Sequence, residues 1–253
     1  MSLVALCTPI AELISPKYHR AVMEMQNATT QHQFLFVEVD TMIIGKARNM
    51  IVQSALPHNP EVLFWIDADT LVPPHAGQLI DQALDLGIVS GIYYNRRPPF
   101  TPQVYTAAKE DELFGMYWPD IKVPDSGLHR RDAIGAGCVA IRMDIYHQLE
   151  DLWKPRVETA YKLLKEVDRP IAEIVKHLSP WYEFLDRKGE DLYFCERIGE
   201  LGLDIWINAD VQCGHLAETL VTKEYFDYLV ENDLVQKMEY KDGEMVIPPV
   251  PVG

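Results

Sequence analysis

Two aspartates, Asp67 and Asp69, directly follow the apolar run VLFWI at residues 62–66. Carboxylates this close repel each other unless a cation lies between them or one of them is protonated. A hard divalent metal ion with oxygen ligands relieves the repulsion most simply. About one D-x-D pair is expected by chance in a chain of this length, and a turn or helix cap would explain a chance pair. The position of this pair at the end of a buried segment favours a functional role.

Two kinds of chemistry fit such a pair. A metal ion held by both side chains could bridge the diphosphate of a nucleotide-sugar and neutralise the leaving group as the glycosidic bond breaks. Alternatively, Asp67 could attack a phosphoryl group while Asp69 acts as the acid and base. The pair alone does not distinguish the two chemistries.

The string IDADTL resembles the D-x-D-x-T motif of haloacid dehalogenase-type phosphatases, in which Asp67 would be the nucleophile. Such enzymes usually have this motif on their first strand, whereas residues 2–61 already show an α/β pattern here. Their later acidic pair usually ends an apolar strand, but GED at 189–191 follows the charged DRK and begins a predicted helix. No lysine lies in an obvious supporting motif. The phosphatase remains the alternative interpretation.

The first half of the chain alternates between apolar runs and segments with helical spacing. The apolar runs predict strands at 2–8, 34–39, 62–67 and 88–94. Helical spacing, with prolines and glycines near the ends, predicts helices at 16–31, 47–56 and 76–87. This alternation predicts an α/β domain with a mainly parallel sheet. Ligands of such sheets bind beyond the carboxyl ends of the strands, where the aspartate pair would lie.

The second half is less regular. We predict a hairpin from 104–109 and 114–118, a strand at 133–142, a helical stretch over 144–178 interrupted at Pro155 and Pro170, a helix at 190–202, a strand at 204–210 and a tail helix at 222–236 before a proline-rich end. The chain has no internal repeat, low-complexity tract or clear linker. A single domain is therefore expected.

Composition restricts the class of protein. The 253 residues carry a formal charge of −15, which argues against nucleic acid as a partner. The four cysteines form no C-x-x-C pair and indicate free thiols in a reducing compartment. The N-terminus lacks a signal-peptide pattern and no apolar run is long enough to span a membrane, so we predict a cytoplasmic protein. Four arginines could still form a local basic groove: Arg96, Arg97, Arg130 and Arg131.

Seven short motifs occur in a fixed order: LCTP, GKARN, FWIDADTLVPP, VSGIYYNRR, IGAGCVAIR, GEDLYFCERIGELG and a late GH. Together they resemble a GT-A glycosyltransferase of the family 2-like type over residues 2–216. The resemblance implies the Rossmann-like GT-A fold, a UDP-sugar or GDP-sugar donor, and usually Mn²⁺ or Mg²⁺. It also implies a nucleotide-sugar half near 1–95 and an acceptor half near 96–216, with 217–253 packed on the same domain.

The resemblance also implies donor-binding residues. Thr8 and Pro9 end the first predicted strand, where the nucleoside sits in this family, although an ordinary strand-to-helix turn would look the same. Asp40 ends the second strand, where such enzymes often hold a base or ribose. Ala68, between the two aspartates, belongs to the same predicted site. Arg48 and Asn49 begin a predicted helix, whose N-terminus attracts phosphate.

The predicted catalytic and metal-binding residues lie further along the chain. Glu190 and Asp191 occupy the first turn of a predicted helix, where the helix dipole by itself favours acidic residues. In inverting GT-A enzymes the aspartate of a matching pair is the general base, which assigns that role to Asp191. His215 follows the last predicted strand, and many GT-A enzymes use a late histidine as a metal ligand beside D-x-D. Oxygen and imidazole ligands together suit Mn²⁺, with Mg²⁺ possible.

Five further residues are candidates for binding the sugar or the acceptor. Gly135, Ala136 and Gly137 open a strand, and small residues let a ligand approach the backbone, although tight packing explains them equally well. Trp181 could stack on a sugar ring or an acceptor base, or pack in the core. Arg96 completes this set.

The combined prediction is a metal-dependent glycosyltransferase in which Asp67, Asp69 and His215 hold the metal and the diphosphate. Asp191 would be the base of an inverting reaction. Besides the phosphatase, a non-catalytic sugar-binding module remains an alternative. The sequence does not identify the acceptor, and a glycan, a protein or a modified base all fit. Short transferases of this kind also occur in bacteriophages.

Overall fold

The computed structural model describes residues 1–11, 14–41, 43–107, 117–166, 179–184, 188–217, 221–232, 239–241 and 244–246. In chain order the described strands are β1 Leu3–Ile10, β2 Gln33–Asp40, β3 Val62–Ile66, β4 Thr70–Leu71, β5 Ile88–Ile92, β6 Val104–Ala107, β7 Tyr117–Pro119, β8 Leu128–Arg131, β9 Ala133–Ile134, β10 Cys138–Arg142, β11 Ile205–Gln212, β12 Gly214–His215, β13 Glu239–Lys241 and β14 Glu244–Val246. The described helices are α1 Pro16–Ala28, α2 Ile44–Ala55, α3 Gln78–Leu86, α4 Met143–Glu166, α5 Glu190–Glu200 and α6 Lys223–Glu231.

The central sheet has seven strands in the order β2-β1-β3-β10-β5-β11-β8. β1 is parallel to β2 and β3, and β5 is parallel to β11. β10 is antiparallel to both of its neighbours, and β8 is antiparallel to β11. The predicted single α/β domain with a mainly parallel sheet is therefore confirmed, with one reversed strand at its centre.

The reversed strand β10 brings distant parts of the sequence together. Because it runs against β3, its first residue, Cys138, lies beside Ile66, the last residue of β3. The residues before β10 therefore lie at the rim where β3 ends. The backbone N–H of Asp67 donates to the carbonyl of Gly137 at 3.0 Å, which joins the two segments directly.

Helices cover both faces of this sheet. Apolar side chains of α1 and α3 pack on one face, and those of α2, α4, α5 and α6 pack on the other. All five residues of β3 are fully buried, since neither of its faces meets water. This explains why VLFWI is a continuous apolar run rather than an alternating one.

Two details of the second half differ from the prediction. The predicted strand at 133–142 is divided into β9 and β10, because residues 135–137 turn at the rim of the sheet. The helix predicted to break at Pro155 continues through it as α4. Pro155 and Asp151 are both exposed, so the Asp151 carbonyl that loses its helical partner can bind water. Pro170 lies outside the described residues.

The remaining elements complete the domain. β6 and β7 pair antiparallel, which confirms the predicted hairpin. β12 pairs with β4 and sets His215 opposite Thr70. In α6, the Phe226 ring stacks on Tyr94 with centroids 4.7 Å apart, so this helix packs on the domain, while the proline-rich end lies outside the described residues. Among the described helices, none has the length and apolar character needed to cross a membrane.

Candidate functional site

A cleft of about 400 Å³ opens at the rim of the sheet where β1, β3 and β5 end. Its lining residues are Pro9, Ala11, Ile44, Asp67, Ala68, Asp69, Tyr93, Asn95, Arg96, Gln103 and His215. Six of these residues were predicted from the sequence as site residues. The parallel strands account for this convergence, since their carboxyl ends meet at one edge.

Arg48 connects both acidic motifs inside the protein. Its Nη2 donates to Asp67 Oδ1 at 2.9 Å and to Oδ2 at 3.1 Å, and its Nε donates to Glu190 Oε1 at 3.2 Å. Its Nη1 donates to the carbonyl of Ala136 at 3.4 Å. The residue is only 2% exposed, and its guanidinium lies over the Trp65 ring. One buried cation therefore compensates two carboxylates.

This environment has opposing effects on the Asp67 carboxyl. Burial raises its pKa, the charge of Arg48 lowers it, and the charges of Asp69 and Glu190 raise it again, so the pKa lies above its ordinary value. Arg48 is therefore what favours an ionised Asp67 in a buried position.

Asp69 and His215 converge on one point of the cleft. His215 Nε2 lies 3.2 Å from Asp69 Oδ2, and Arg96 Nη1 donates to the same oxygen at 2.7 Å. The other ring nitrogen of His215, Nδ1, lies 2.6 Å from the carbonyl of Tyr94 and must carry a proton to bond there. The Nε2 atom is thus the one directed at Asp69.

Asp69 and His215 each stabilise the charged form of the other. Burial raises the Asp69 pKa, but the hydrogen bond and charge of His215, followed by the charge of Arg96, bring it below its ordinary value. Burial lowers the His215 pKa, but its hydrogen bond to Asp69 and the charge of that carboxylate bring it above its ordinary value.

This arrangement fits a divalent metal ion in part. A carboxylate oxygen and an imidazole nitrogen with a fixed tautomer point at the same space, which suits Mn²⁺. Among the described residues no three His, Cys, Asp or Glu side chains lie close enough together to hold a metal ion. Two of the three predicted ligands, Asp69 and His215, are assembled, whereas Asp67 is turned towards Arg48 because its charge is compensated there.

Asp191 lies at the start of α5, next to Glu190. Its Oδ1 accepts from the backbone N–H of Leu192 at 2.8 Å. Burial, followed by the charge of Glu190, raises the pKa of Asp191 to about 7. A carboxylate with this pKa can exchange a proton near neutral pH. Because Glu190 is bound to Arg48, the start of α5 is connected to the end of β3.

The Gly-Ala-Gly turn packs against a side chain of this protein. A Cβ atom at Gly135 would lie 2.2 Å from Tyr93 Oη, and one at Gly137 would lie 2.6 Å from Tyr93 Cζ. Gly137 N–H also donates to the Tyr93 hydroxyl at 3.0 Å. Ala136 is buried in the core. We predicted that a ligand approaches the backbone closely at these glycines. In the structure, the Tyr93 ring approaches the backbone there.

Several predicted residues lie outside the cleft. Thr8 is fully buried and bonded to the Tyr18 hydroxyl. Asn49 binds the 179–182 segment through Ser179 and Tyr182. Trp181 is 4% exposed and its Nε1 donates to the carbonyl of Tyr146.

The helix that contains Arg48 also starts earlier than predicted. Since α2 begins at Ile44, Arg48 and Asn49 lie in its second turn, and their N–H groups are not free at the helix start. Asp40 ends β2 as expected and is exposed, but it does not line the cleft.

Sequence reasoning missed five residues of the cleft lining. Ala11 and Ile44 add apolar side chains to the lining, while Tyr93, Asn95 and Gln103 add polar groups. Tyr93 and Asn95 belong to the VSGIYYNRR motif, and their position just after a buried strand could have indicated them. Gln103 is positioned by tertiary hydrogen bonds: its N–H donates to the Tyr93 carbonyl at 2.9 Å, and its carbonyl accepts from the Gly135 N–H at 2.8 Å.

Comparison with known proteins supports the fold alone. No protein-family model and no curated protein matches the sequence. Among solved structures, A197 from STIV is similar with a TM-score of 0.50 and 12% identity, covering 85% of this chain and 86% of that one. GalNAc-T7, crystallised with UDP, GalNAc and Mn²⁺, is similar with a TM-score of 0.52 and 11% identity. That match covers 85% of this chain and 44% of the GalNAc-T7 chain, so this chain spans less than half of its length. The protein thus has a GT-A-like fold.

Proposed function

We propose that this protein is a metal-dependent glycosyltransferase that moves a sugar from a nucleoside-diphosphate sugar to an acceptor hydroxyl. The observation that supports this most directly is the convergence of Asp69 and His215 at the end of β3, in a GT-A-like fold. The solved GalNAc-T7 structure contains UDP, GalNAc and Mn²⁺, a combination that this cleft would also suit.

In this proposal, Asp69 and His215 would hold the metal, and the bond from His215 Nδ1 to the Tyr94 carbonyl keeps the imidazole in the tautomer that leaves Nε2 available. When bound, the metal supplies positive charge that stabilises the departing diphosphate. Arg96, whose side chain is 50% exposed, lies beside Asp69 and would contact the sugar or the acceptor. Arg48 compensates Asp67 and Glu190 and does not itself reach the cleft lining.

Asp191 is the proposed general base of an inverting, single displacement. It would take the proton of the acceptor hydroxyl as that oxygen attacks the anomeric carbon and the bond to the diphosphate breaks. A pKa near 7 leaves much of the carboxyl ionised at neutral pH while keeping it basic enough to accept a proton.

A thermal-shift screen of UDP-sugars and GDP-sugars, each with and without Mn²⁺, tests the proposed donor class. We expect a rise in Tm that requires both metal and nucleotide, because ligands that bind only the native state stabilise it. If no nucleotide or nucleotide-sugar raises the Tm, the proposal is wrong. NMR of the product's anomeric proton then tests the stereochemistry, and a retained configuration would exclude Asp191 as the base.

The phosphatase alternative requires Asp67 as a free nucleophile. Both of its carboxylate oxygens instead accept hydrogen bonds from Arg48, which disfavours that role. Incubation with a phosphoryl donor, followed by mass spectrometry, would detect an aspartyl-phosphate that disappears in Asp67→Asn. A sugar-binding module without catalysis would bind the sugar but hydrolyse no nucleotide-sugar in the presence of Mn²⁺.

A further inference from the structure

The Tyr93 hydroxyl has an unusual set of neighbours. Tyr93 is 6% exposed and lines the cleft with Asp67 and His215. Its ring meets the His215 ring edge-on, with centroids 5.6 Å apart at 72°. The phenol is therefore held by packing between His215 and the Gly-Ala-Gly turn.

The hydrogen bonding of this hydroxyl leaves its proton available. The N–H of Gly137 donates to Tyr93 Oη at 3.0 Å, so the oxygen acts as an acceptor in that bond. A phenol hydroxyl can accept and donate at the same time. Within the described part of the chain, no acceptor is bonded to the Tyr93 proton. A donor that is almost buried, lines a cleft and lacks an acceptor is suited to a ligand oxygen.

We propose that the Tyr93 hydroxyl donates a hydrogen bond to a hydroxyl oxygen of the sugar being transferred, and so helps to select the donor sugar. This inference rests on the proposed function. Tyr93 lines the same cleft as Asp69 and His215, the residues proposed to bind the metal and the diphosphate, so a sugar attached to that diphosphate would lie within this cleft. Tyr93 would be a specificity-determining residue and not the base.

The Gly137 peptide makes it possible to separate this role from a structural one. Its N–H binds Tyr93 and its C=O accepts from the backbone N–H of Asp67. If Tyr93 only held the turn in place, its loss would displace the Asp67 backbone and with it Asp69, the proposed metal ligand two residues further on, and so weaken binding of the nucleotide itself. If it binds the sugar, its loss would weaken nucleotide-sugar binding and leave nucleotide binding intact.

The experiment measures ligand binding to the wild type and to Tyr93→Phe by calorimetric titration in the presence of Mn²⁺. The ligands are UDP, GDP and the corresponding UDP-sugars and GDP-sugars. Tyr93→Phe keeps the ring that packs on Gly135 and Gly137. We expect the Kd of the best nucleotide-sugar to rise about three- to tenfold, as for a lost hydrogen bond, with the Kd of its free nucleotide unchanged within about twofold. The control Tyr146→Phe removes a fully buried phenol hydroxyl bonded to Trp65 and should leave the ratio of the two Kd values unchanged.

Each other outcome contradicts the inference in a distinguishable way. Equal weakening of nucleotide and nucleotide-sugar by Tyr93→Phe would assign Tyr93 a structural role. Unchanged affinity for both would exclude the hydrogen bond while leaving the proposed function intact. Failure of the wild type to bind any of these nucleotides or nucleotide-sugars would reject the proposed function together with this inference.

Discussion

The guanidinium of Arg48 bonds both oxygens of Asp67 through a single nitrogen, at 2.9 and 3.1 Å, inside the protein. The same side chain reaches Glu190, which lies 142 residues further along the chain. The first aspartate of the D-x-D pair is therefore compensated by Arg48, and the second is the one whose carboxylate lies against His215. Each carboxylate of the motif is paired with a different arginine: Asp67 with Arg48, and Asp69 with Arg96.

Replacing Arg48 with methionine should strongly destabilise the fold. The change leaves Asp67 and Glu190 buried without their cation, and breaking a buried ion pair in this way typically costs about 3–5 kcal/mol. Denaturant unfolding measures the free energy directly. Arg156→Met is the matched control, because its exposed pair with Glu200 should contribute less than about 1 kcal/mol. A similar small cost for both variants would contradict the compensating role of Arg48.

Removing either predicted metal ligand should abolish the metal dependence of nucleotide binding. For Asp69→Asn and His215→Gln we expect Mn²⁺ affinity, measured by electron paramagnetic resonance in the presence of UDP, to fall by more than the roughly 10- to 100-fold that is typical when a residue that only orients a ligand is lost. His75→Gln serves as the control, since His75 Nε2 contacts the carbonyl of Asp210 and does not line the cleft. Unaltered Mn²⁺ affinity in both ligand variants would place the metal elsewhere.

The activity should rise with pH through about 7 as Asp191 loses its proton. A general base must be unprotonated to act, and its removal in Asp191→Asn should lower kcat about 10²- to 10⁴-fold. The pH dependence of kcat/KM for the wild type checks the first statement. A flat profile between pH 6 and 8 would argue against Asp191 as the base.

The raised pKa of Asp191 also predicts how stability depends on pH: stability should fall as the pH rises, whereas activity should increase. Unfolded Asp191 ionises near its ordinary value, whereas the folded carboxyl retains its proton to about pH 7. Its contribution to stability is therefore present at low pH and is lost as the pH rises towards 7. Asp191→Asn should become more stable relative to wild type between pH 5 and 8, as measured by Tm. Glu158→Gln, at an exposed site on α4, should show no such trend.

Adding a methyl group to the Gly-Ala-Gly turn should displace Tyr93. The Cβ atom of Gly137→Ala would lie 2.6 Å from Tyr93 Cζ, and overpacking of this kind costs about 1–3 kcal/mol in unfolding free energy. Gly199→Ala, in helix α5, is the matched control, because its new Cβ would meet nothing within 4 Å beyond its chain neighbours and the backbone of its own helix. That variant should be neutral or slightly more stable. Equal stability of the two variants would show that the turn accommodates the methyl group.

Local sequence patterns were sufficient for most of the framework. The apolar run VLFWI, the alternation of strands and helices, and the rim position of Asp67 and Asp69 all follow from short-range periodicity and burial. These features depend on residues near one another in the chain, so the sequence alone determined them. The pairing of Asp69 with His215 was expected from the resemblance of the motif order, and the two side chains do lie 3.2 Å apart.

Tertiary structure decided which charged and small residues face the cleft. Arg48 and Asn49 looked like phosphate-binding residues, but Arg48 binds two buried carboxylates and Asn49 binds residues 179–182. Gly135 and Gly137 make room for the Tyr93 ring. The physical reason is that a side chain's partner depends on strand order, and the antiparallel β10 brings together segments that are distant in the sequence. Periodicity determines which face of an element is buried, but only the packed sheet determines what that face meets.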